Sequence, residues 1–197
     1  IELGIPFSDP VAEGEVIQAA NIRALSAGTT TDKIFTMLKN VRTKTDVPLV
    51  FLTYINPIFT YGTEKFLANC KSVGLDGIIV PDVPYEEKTP LAKVCRKYGV
   101  DLIPLVAPTS DERIKMIAKD AEGYVYIVSS LGVTGVRSDI TTNIAAMTEK
   151  IRQATNVPAA VGFGIATPKQ AEEMAAVSDG AIVGSAVVKI VGKYGTD

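Results

Sequence analysis

Residues 48–80 read PLVFLTYINPIFTYGTEKFLANCKSVGLDGIIV, and this stretch decides the fold class. It begins with a short apolar run and ends with a second one from Gly77, and each run has the length and composition of a strand buried on both faces. The segment between them places apolar side chains at helical spacing, at Phe66, Leu67, Cys70 and Val73. The pattern therefore predicts strand, helix and strand, which is the repeating unit of a parallel sheet.

The same alternation extends over the rest of the chain. Further apolar runs begin near Ile1, Asp101, Tyr124, Pro158 and Ala181. Seven visible units, against the usual eight, favour a closed (β/α)8 TIM barrel over an open doubly wound sheet. Because the sequence opens inside an apolar strand and such barrels usually have about 250 residues, we expect one barrel domain over residues 1–197 whose first βα unit lies outside this chain.

The joints between the predicted elements also recur, which indicates weak internal repeats. Asp46-Val47-Pro48 and Asn156-Val157-Pro158 each lead into a strand. Leu75-Asp76-Gly77 and Ser178-Asp179-Gly180 each mark the passage from a helix to a strand.

Composition excludes several classes of function. The chain has 20 basic and 22 acidic residues and a net charge of -2, without a basic block for nucleic acid or anionic membrane. No apolar run approaches the roughly 20 residues of a membrane span, and no signal peptide is visible, so we expect a cytoplasmic protein. There is no histidine, and Cys70 and Cys95 fit reduced, buried thiols better than metal ligands or a disulfide. Acid–base chemistry near neutral pH must therefore use carboxylates, tyrosines, lysines or water.

Three carboxylates stand where a barrel places its chemistry, at the C-terminal ends of strands. Glu2 lies within the first strand, and a side chain that points into the barrel there would be desolvated and suited to a general acid. Asp9 and Glu13 lie in the loop that follows and are candidate partners for it. From spacing alone, solvated glutamates and helix-terminal acids remain the alternative.

Glycine-containing turns after the later strands predict a phosphate site. Gly162, Phe163 and Gly164 follow one strand, and Gly184 and Ser185 follow the next. Backbone N–H groups at such turns and at a helix N-terminus bind phosphate, which many barrels hold after strands seven and eight. The segment Gly132-Val133-Thr134-Gly135 adds a third such loop.

Aromatic and aliphatic residues at the same strand ends suggest an apolar pocket. Tyr126 lies in one predicted strand, and Tyr54 and Asn56 follow another. With Phe163, Ile79, Leu105 and Ile127 they would form a pocket apolar enough for an aromatic ring. Taken one by one, these side chains are equally suited to core packing.

Four segments together resemble the tryptophan synthase α subunit family: Ile1 to Pro10 (IELGIPFSDP), Pro81 to Pro84 (PDVP), Leu131 to Gly135 (LGVTG) and Gly162 to Ile165 (GFGI). The resemblance implies a TIM-barrel lyase of tryptophan biosynthesis, with the last helix shortened after Asp197. It implies aldol cleavage of indole-3-glycerol phosphate to indole and glyceraldehyde 3-phosphate, with neither cofactor nor metal. The implied partner is a β subunit, in an α2β2 heterotetramer.

The resemblance also implies roles for individual residues. It makes Glu2 the acid that protonates indole C3, and it places Tyr126 near the bond that breaks. The implied phosphate site comprises Gly135, Phe163, Gly164, Gly184 and Ser185. The implied indole pocket comprises Tyr54, Ile79 and Leu105. Thr134 would belong to a mobile loop that closes over substrate, and Asp9, Asn56 and Pro57 would lie on the face that meets the β subunit.

One position departs from the family pattern. The family reads Asp-Gly-Pro where this chain reads Glu13-Gly14-Glu15, so the carboxylate that would stabilise the indole N–H is one methylene longer. A displacement of about 1 Å at a catalytic group can cost on the order of 100-fold in rate. The hypothesis is slow turnover unless the loop readjusts, with a higher kcat expected in Glu13→Asp.

Two other functions remain open from the residues alone. The altered Glu13 loop is compatible with a weakly catalytic regulatory subunit that docks on a β subunit and activates it. The terminal glycine turns would also suit another phosphate-binding barrel enzyme that acts on a sugar phosphate. Glu2 and the Pro-Phe-Ser-Asp-Pro sequence that follows it argue against the sugar-phosphate enzyme.

Overall fold

The computed structural model describes residues 1–129, 137–162 and 164–195. The chain divides into two compact units, Ile1–Leu102 and Ile103–Asp197. We call them unit 1 and unit 2. Each contains a four-stranded sheet whose strands are paired in parallel and in chain order, as the alternating pattern predicts.

Unit 1 alternates strands with helices around a sheet of order β1-β2-β3-β4. Its elements are β1 (Glu2–Gly4), α1 (Glu15–Ser26), α2 (Thr31–Arg42), β2 (Val50–Leu52), α3 (Ile55–Tyr61), α4 (Thr63–Ser72), β3 (Gly77–Ile79), α5 (Thr89–Tyr98) and β4 (Asp101–Leu102). A short 3-10 turn, Tyr85–Glu87, precedes α5. The register pairs Glu2 with Val50 and Leu52 with Ile79.

The core of unit 1 lies between one face of this sheet and the helices. Phe51 from β2 and Phe66 from α4 both pack on Phe35 of α2, with ring centroids 5.7 and 5.5 Å apart. Cys70 and Cys95 are fully buried in the same core and are not joined in a disulfide, which confirms their predicted state. Burial raises the pKa of the Cys70 thiol, which keeps it protonated and unreactive.

Unit 2 repeats the alternation with sheet order β5-β6-β7-β8. Its elements are β5 (Leu105–Val106), α6 (Asp111–Lys119), β6 (Val125–Val128), α7 (Arg137–Ala154), β7 (Ala159–Gly162), α8 (Pro168–Ala175), β8 (Gly180–Ala181) and α9 (Ser185–Tyr194). The apolar run predicted as one strand from Asp101 is divided, because β4 ends at Leu102 and β5 begins at Leu105. Pro104 lies between them, and proline has no N–H to donate to a sheet.

The first copy of the internal repeat forms a cluster of hydrogen bonds at the N-terminal ends of β2 and β3. The Asp76 carboxylate accepts from the backbone N–H of Leu49 at 2.7 Å and from the Arg42 guanidinium at 2.7 Å. Just before β2, the backbone N–H of Val47 donates to the hydroxyl of Thr45 at 3.2 Å. We call this arrangement an Arg–Asp clasp.

The second copy of the internal repeat forms the same Arg–Asp clasp in unit 2. The Asp179 carboxylate accepts from the backbone N–H of Ala159 at 2.8 Å and from the Arg152 guanidinium at 2.8 Å. The backbone N–H of Val157 donates to the hydroxyl of Thr155 at 3.2 Å. The weak sequence repeat therefore corresponds to a repeated structure that ties a helix to the starts of two strands.

No helix in the parts of the chain that the structure describes is both long enough and apolar enough to cross a bilayer.

Candidate active site

One face of the unit 1 sheet carries predicted site residues. Leu3 and Ile78 pack into the core beneath the helices. Because successive side chains of a strand point to opposite faces, their neighbours Glu2 and Ile79 lie on the other face. Glu2 is half-buried and Ile79 is fully buried. Unit 1 therefore presents a carboxylate and an apolar side chain on the same side of its sheet.

Tyr54 lies two residues beyond the end of β2 and organises the loop that contains Glu13. Its hydroxyl donates to the Glu13 carboxylate and accepts from the backbone N–H of Ala12 at 3.2 Å. Its ring is 1% exposed and lies 5.6 Å from the ring of Phe7, centroid to centroid. Residues at both ends of this loop thus pack on one tyrosine, which holds the loop at the C-terminal end of β2.

The Glu13 carboxylate has a second donor in Asn21 of α1. The side-chain amide of Asn21 donates to Oε2 of Glu13 at 2.6 Å, and Gln18 donates to the backbone carbonyl of Glu13 at 2.7 Å. Burial raises the pKa of Glu13, and the hydrogen bonds from Asn21 and Tyr54 oppose that rise. The carboxylate is therefore half-buried, with its ionised form stabilised by two neutral donors.

Sequence reasoning missed Asn21. The side chain is buried, with 7% exposed, on an otherwise apolar side of α1 near Ile17 and Ala20. A buried polar side chain needs a hydrogen-bond partner, so a lone asparagine on the inward stripe of a helix was the available signal. Its partner, Glu13, could not be read from the pattern.

Asp82, within the segment from Pro81 to Pro84, has a structural role. Both of its carboxylate oxygens accept from the backbone N–H of Ile55, at 3.0 and 3.2 Å. Ile55 is the first residue of α3, and Tyr54 immediately before it offers no side-chain cap. Asp82 therefore fixes the start of α3 from the loop after β3.

Unit 2 brings Tyr126 and Leu105 together, paired in register on β6 and β5. Val125 and Ile127 are fully buried, whereas Tyr126 is half-buried on the other face. The Tyr126 phenol lies over Gly162 on β7. Any side chain at position 162 would overlap the ring, because its Cβ would lie 2.6 Å from Cε1 of Tyr126 and closer still to the hydroxyl oxygen. The backbone N–H and hydroxyl of Ser129 both donate to the Gly162 carbonyl, which fixes this glycine under the ring.

The predicted phosphate residues that the structure describes lie at exposed turns. Gly164 has φ +79°, which favours glycine, and Gly184 immediately precedes α9. No side chain caps α9, and a Cβ built at Gly184 would meet nothing within 4 Å. Ser185 is exposed at the first position of the helix. The N-terminus of α9 is therefore open to an anion.

Three predicted site residues, Thr134, Gly135 and Phe163, lie outside the described residues. Of the predicted partner face, Asp9 and Asn56 are exposed and Pro57 is half-buried. Phe59, in the same helix as Asn56, has 77% of its side chain exposed.

A depression of about 500 Å³ lies at the other end of the unit 1 strands, lined in part by Lys39, Arg42 and Asp76. Arg42 and Asp76 belong to the Arg–Asp clasp. At the N-terminal ends of barrel strands, such residues support stability more than catalysis.

Residues 1–197 match the family model described as Tryptophan synthase alpha chain. The chain belongs to that family. The tryptophan synthase alpha chain of Lacticaseibacillus casei is 50% identical over 193 residues, which are 98% of this chain and 73% of the relative. The family resemblance seen in the sequence is thus confirmed.

Solved structures of tryptophan synthase alpha subunits share the fold. The subunit from Campylobacter jejuni is 42% identical, with a TM-score of 0.88 over 95% of this chain and 75% of that one. A chain of the tryptophan synthase α2β2 complex from Pyrococcus furiosus is 35% identical, with a TM-score of 0.85 over 98% and 78%. These likenesses confirm the predicted (β/α)8 TIM-barrel class.

Proposed function

We propose that this chain is a carbon–carbon lyase that cleaves indole-3-glycerol phosphate into indole and glyceraldehyde 3-phosphate during tryptophan biosynthesis. Membership of the tryptophan synthase alpha chain family supports the substrate and the pathway. The observation that carries the chemistry is the Glu13 carboxylate, held by Asn21 and Tyr54 just beyond the strand that neighbours Glu2.

The proposed reaction is a reversed aldol addition. Glu2 gives its proton to indole C3. The Glu2 carboxylate that results takes the proton of the glycerol hydroxyl next to the ring as the bond between C3 and that carbon breaks, which regenerates the acid. The bonding electrons return to the indole ring, and the hydroxyl becomes the aldehyde of glyceraldehyde 3-phosphate. Positive charge develops on the indole nitrogen during protonation, and the Glu13 carboxylate stabilises it. We assign Tyr126 to a position near the scissile bond, as the family resemblance implies.

The substrate phosphate is assigned to the N-terminus of α9. Gly184 leaves space there, Ser185 supplies a hydroxyl, the first turn of the helix supplies backbone N–H groups, and Gly164 contributes the turn after β7. Gly135 and Phe163 complete the proposed phosphate site. The proposed indole contacts are Tyr54 and Ile79 in unit 1, which are buried, and Leu105 in unit 2, which is half-buried. Apolar side chains suit a ring that must lose its water shell.

The proposed partner is a tryptophan synthase β subunit. The solved Pyrococcus furiosus relative belongs to an α2β2 complex. On this chain, α3 presents Asn56 and the exposed ring of Phe59, and Asp9 lies in the loop after β1. An exposed aromatic ring with polar neighbours is typical of a protein contact.

Indole release from indole-3-glycerol phosphate tests this proposal. The protein is assayed alone and with a β subunit, beside Glu2→Gln and the control Glu172→Gln, which removes an exposed carboxylate on α8. We expect release that the β subunit stimulates, that Glu2→Gln abolishes and that Glu172→Gln leaves unchanged.

Release that survives in Glu2→Gln would contradict the assignment of the acid. If the parent chain releases no indole but still activates the β subunit, the lyase proposal fails and the regulatory alternative replaces it.

A further inference from the structure

The carboxylate of Glu13 is held from two sides and its backbone from a third. Asn21 approaches from α1 and Tyr54 from the end of β2, while Gln18 fixes the backbone carbonyl. We call Asn21 and Tyr54 the Glu13 seat. In the function proposed above, both members of the seat hold Glu13, and Tyr54 also contacts the indole ring.

The members of the seat have little freedom to move. Asn21 is buried on the second turn of a twelve-residue helix, and Glu13 lies one residue before the N-cap of that helix, Gly14. The ring of Tyr54 is buried against Phe7. The distance from the backbone of position 13 to both donors is therefore set by the fold and not by side-chain rotation.

A glutamate fits that distance and an aspartate falls short of it. The extra methylene lengthens the side chain by about 1.5 Å, and the bond from Asn21 to Oε2 of Glu13 is 2.6 Å long. With the backbone unmoved, an aspartate oxygen would lie about 4 Å from the amide, which is beyond hydrogen-bond range. An aspartate at position 13 would therefore lose the hydrogen bond from Asn21.

We infer that Asn21 and Tyr54 are positioning residues matched to a glutamate at position 13, so that this chain works with the longer acid and would be impaired by the shorter one. The inference rests on the proposed function for its kinetic consequence. It reverses the expectation drawn from the sequence alone, because the departure at position 13 is accompanied by donors that reach it.

The seat also predicts how pH acts on the site. The groups around the Glu13 carboxylate are the amide of Asn21 on α1 and the phenol of Tyr54 just after β2, both neutral near pH 7. Each stabilises the ionised carboxylate, so removing either donor raises the pKa of Glu13. Because the ionised form is the one that stabilises the indole nitrogen, activity would then be lost at a higher pH as the solution is acidified.

The test compares Asn21→Leu, Tyr54→Phe, Glu13→Asp and the double variant Asn21→Leu with Glu13→Asp. Two controls remove equivalent bonds elsewhere in unit 1, where Asn69 donates to the Tyr61 hydroxyl at 2.8 Å and that hydroxyl donates to Asp32. These controls are Asn69→Leu and Tyr61→Phe. For each protein, kcat and KM for indole release are measured across pH, and the Glu13 carboxyl is titrated by carbon-13 NMR without substrate.

We expect Asn21→Leu, Tyr54→Phe and Glu13→Asp each to lower kcat, by up to about 100-fold. In the two seat variants the Glu13 carboxyl titrates at a higher pH. The double variant is no slower than its slower parent, because both changes break the same contact. Asn69→Leu and Tyr61→Phe leave the Glu13 titration and the shape of the pH profile unchanged.

A kcat for Glu13→Asp equal to or above that of the parent would overturn the inference. So would an unchanged Glu13 titration in Tyr54→Phe, which retains the buried ring and tests the seat even if Asn21→Leu fails to fold. Because the titration needs no substrate, it stays informative if the parent releases no indole, an outcome that would instead refute the proposed function.

Discussion

The phenol ring of Tyr126 lies directly over the Cα atom of Gly162 on the neighbouring strand. The two strands run parallel, and Tyr126 crosses from β6 to β7 on the face opposite the buried side chains of Val125 and Ile127. Because Gly162 has no side chain, the Tyr126 ring can lie against the backbone of β7. This contact fixes the position of a residue that is proposed to act near the substrate.

Replacing Gly162 by alanine should displace Tyr126. The new methyl group would overlap the ring, so we expect a loss of about 1–3 kcal/mol in the free energy of unfolding together with a fall in kcat. Denaturant unfolding and indole release measure the two effects.

The control is Gly180→Ala on β8, where the added Cβ meets only the Cβ of Ala160, at an ordinary 3.7 Å. There we expect unchanged or slightly higher stability, by up to about 1 kcal/mol. Equal losses in both variants would show that Tyr126 does not depend on Gly162.

Removing the Asp82 carboxylate should loosen the start of α3. Asp82→Ala leaves the N–H of Ile55 without its acceptor, and we expect a loss of about 0.5–2 kcal/mol, as for a helix cap. Asp82→Asn should cost less, because the amide oxygen can still accept. Hydrogen exchange at the Ile55 amide reports the change locally, and slow exchange in Asp82→Ala would contradict this role.

The Arg–Asp clasp of unit 2 should make stability depend on acid. The backbone N–H of Ala159, and then Arg152, lower the pKa of Asp179. A carboxyl whose folded pKa is depressed contributes stability above its unfolded pKa, about 3.9, and that stability is lost as pH falls through the folded value.

Asp179→Asn should therefore be less stable than the parent at pH 7 and should lose less stability between pH 5 and pH 2. Urea unfolding at a series of pH values gives both curves. Curves that stay parallel over that interval would rule out this contribution from Asp179.

Two phenylalanines should separate folding from docking. Phe66 is fully buried among the aromatic rings of unit 1, so Phe66→Ala should cost about 3–5 kcal/mol. Phe59 is 77% exposed, so Phe59→Ala should change stability by no more than about 0.5 kcal/mol. If α3 meets the β subunit, Phe59→Ala weakens the binding of that subunit, which titration calorimetry measures. Undiminished binding would show that Phe59 is not part of the interface.

The sequence pattern predicted most strand positions, because buried parallel strands are short apolar runs whatever surrounds them. The run from Asp101 was the exception. Its composition is continuous, and only the missing N–H of Pro104 divides it into β4 and β5.

The contacts of the site were harder to predict than its residues. Glu13, Tyr54 and Tyr126 were selected from their places at strand ends, but the bonds that hold Glu13 join segments 8 and 41 positions away. Asp82 reaches 27 positions back to Ile55. Such pairs depend on how a loop folds over a particular side chain, and neither period nor composition encodes that path.

Among the described residues, each unit has one Arg–Asp clasp, and each copy is complete within its own half of the chain. Arg42, Leu49 and Asp76 all precede residue 102, and Arg152, Ala159 and Asp179 all follow it. The peptide bond between Leu102 and Ile103 therefore belongs to neither clasp. Each half of the chain therefore carries, in its own sequence, the side chains that fasten one of its helices to the starts of two of its strands.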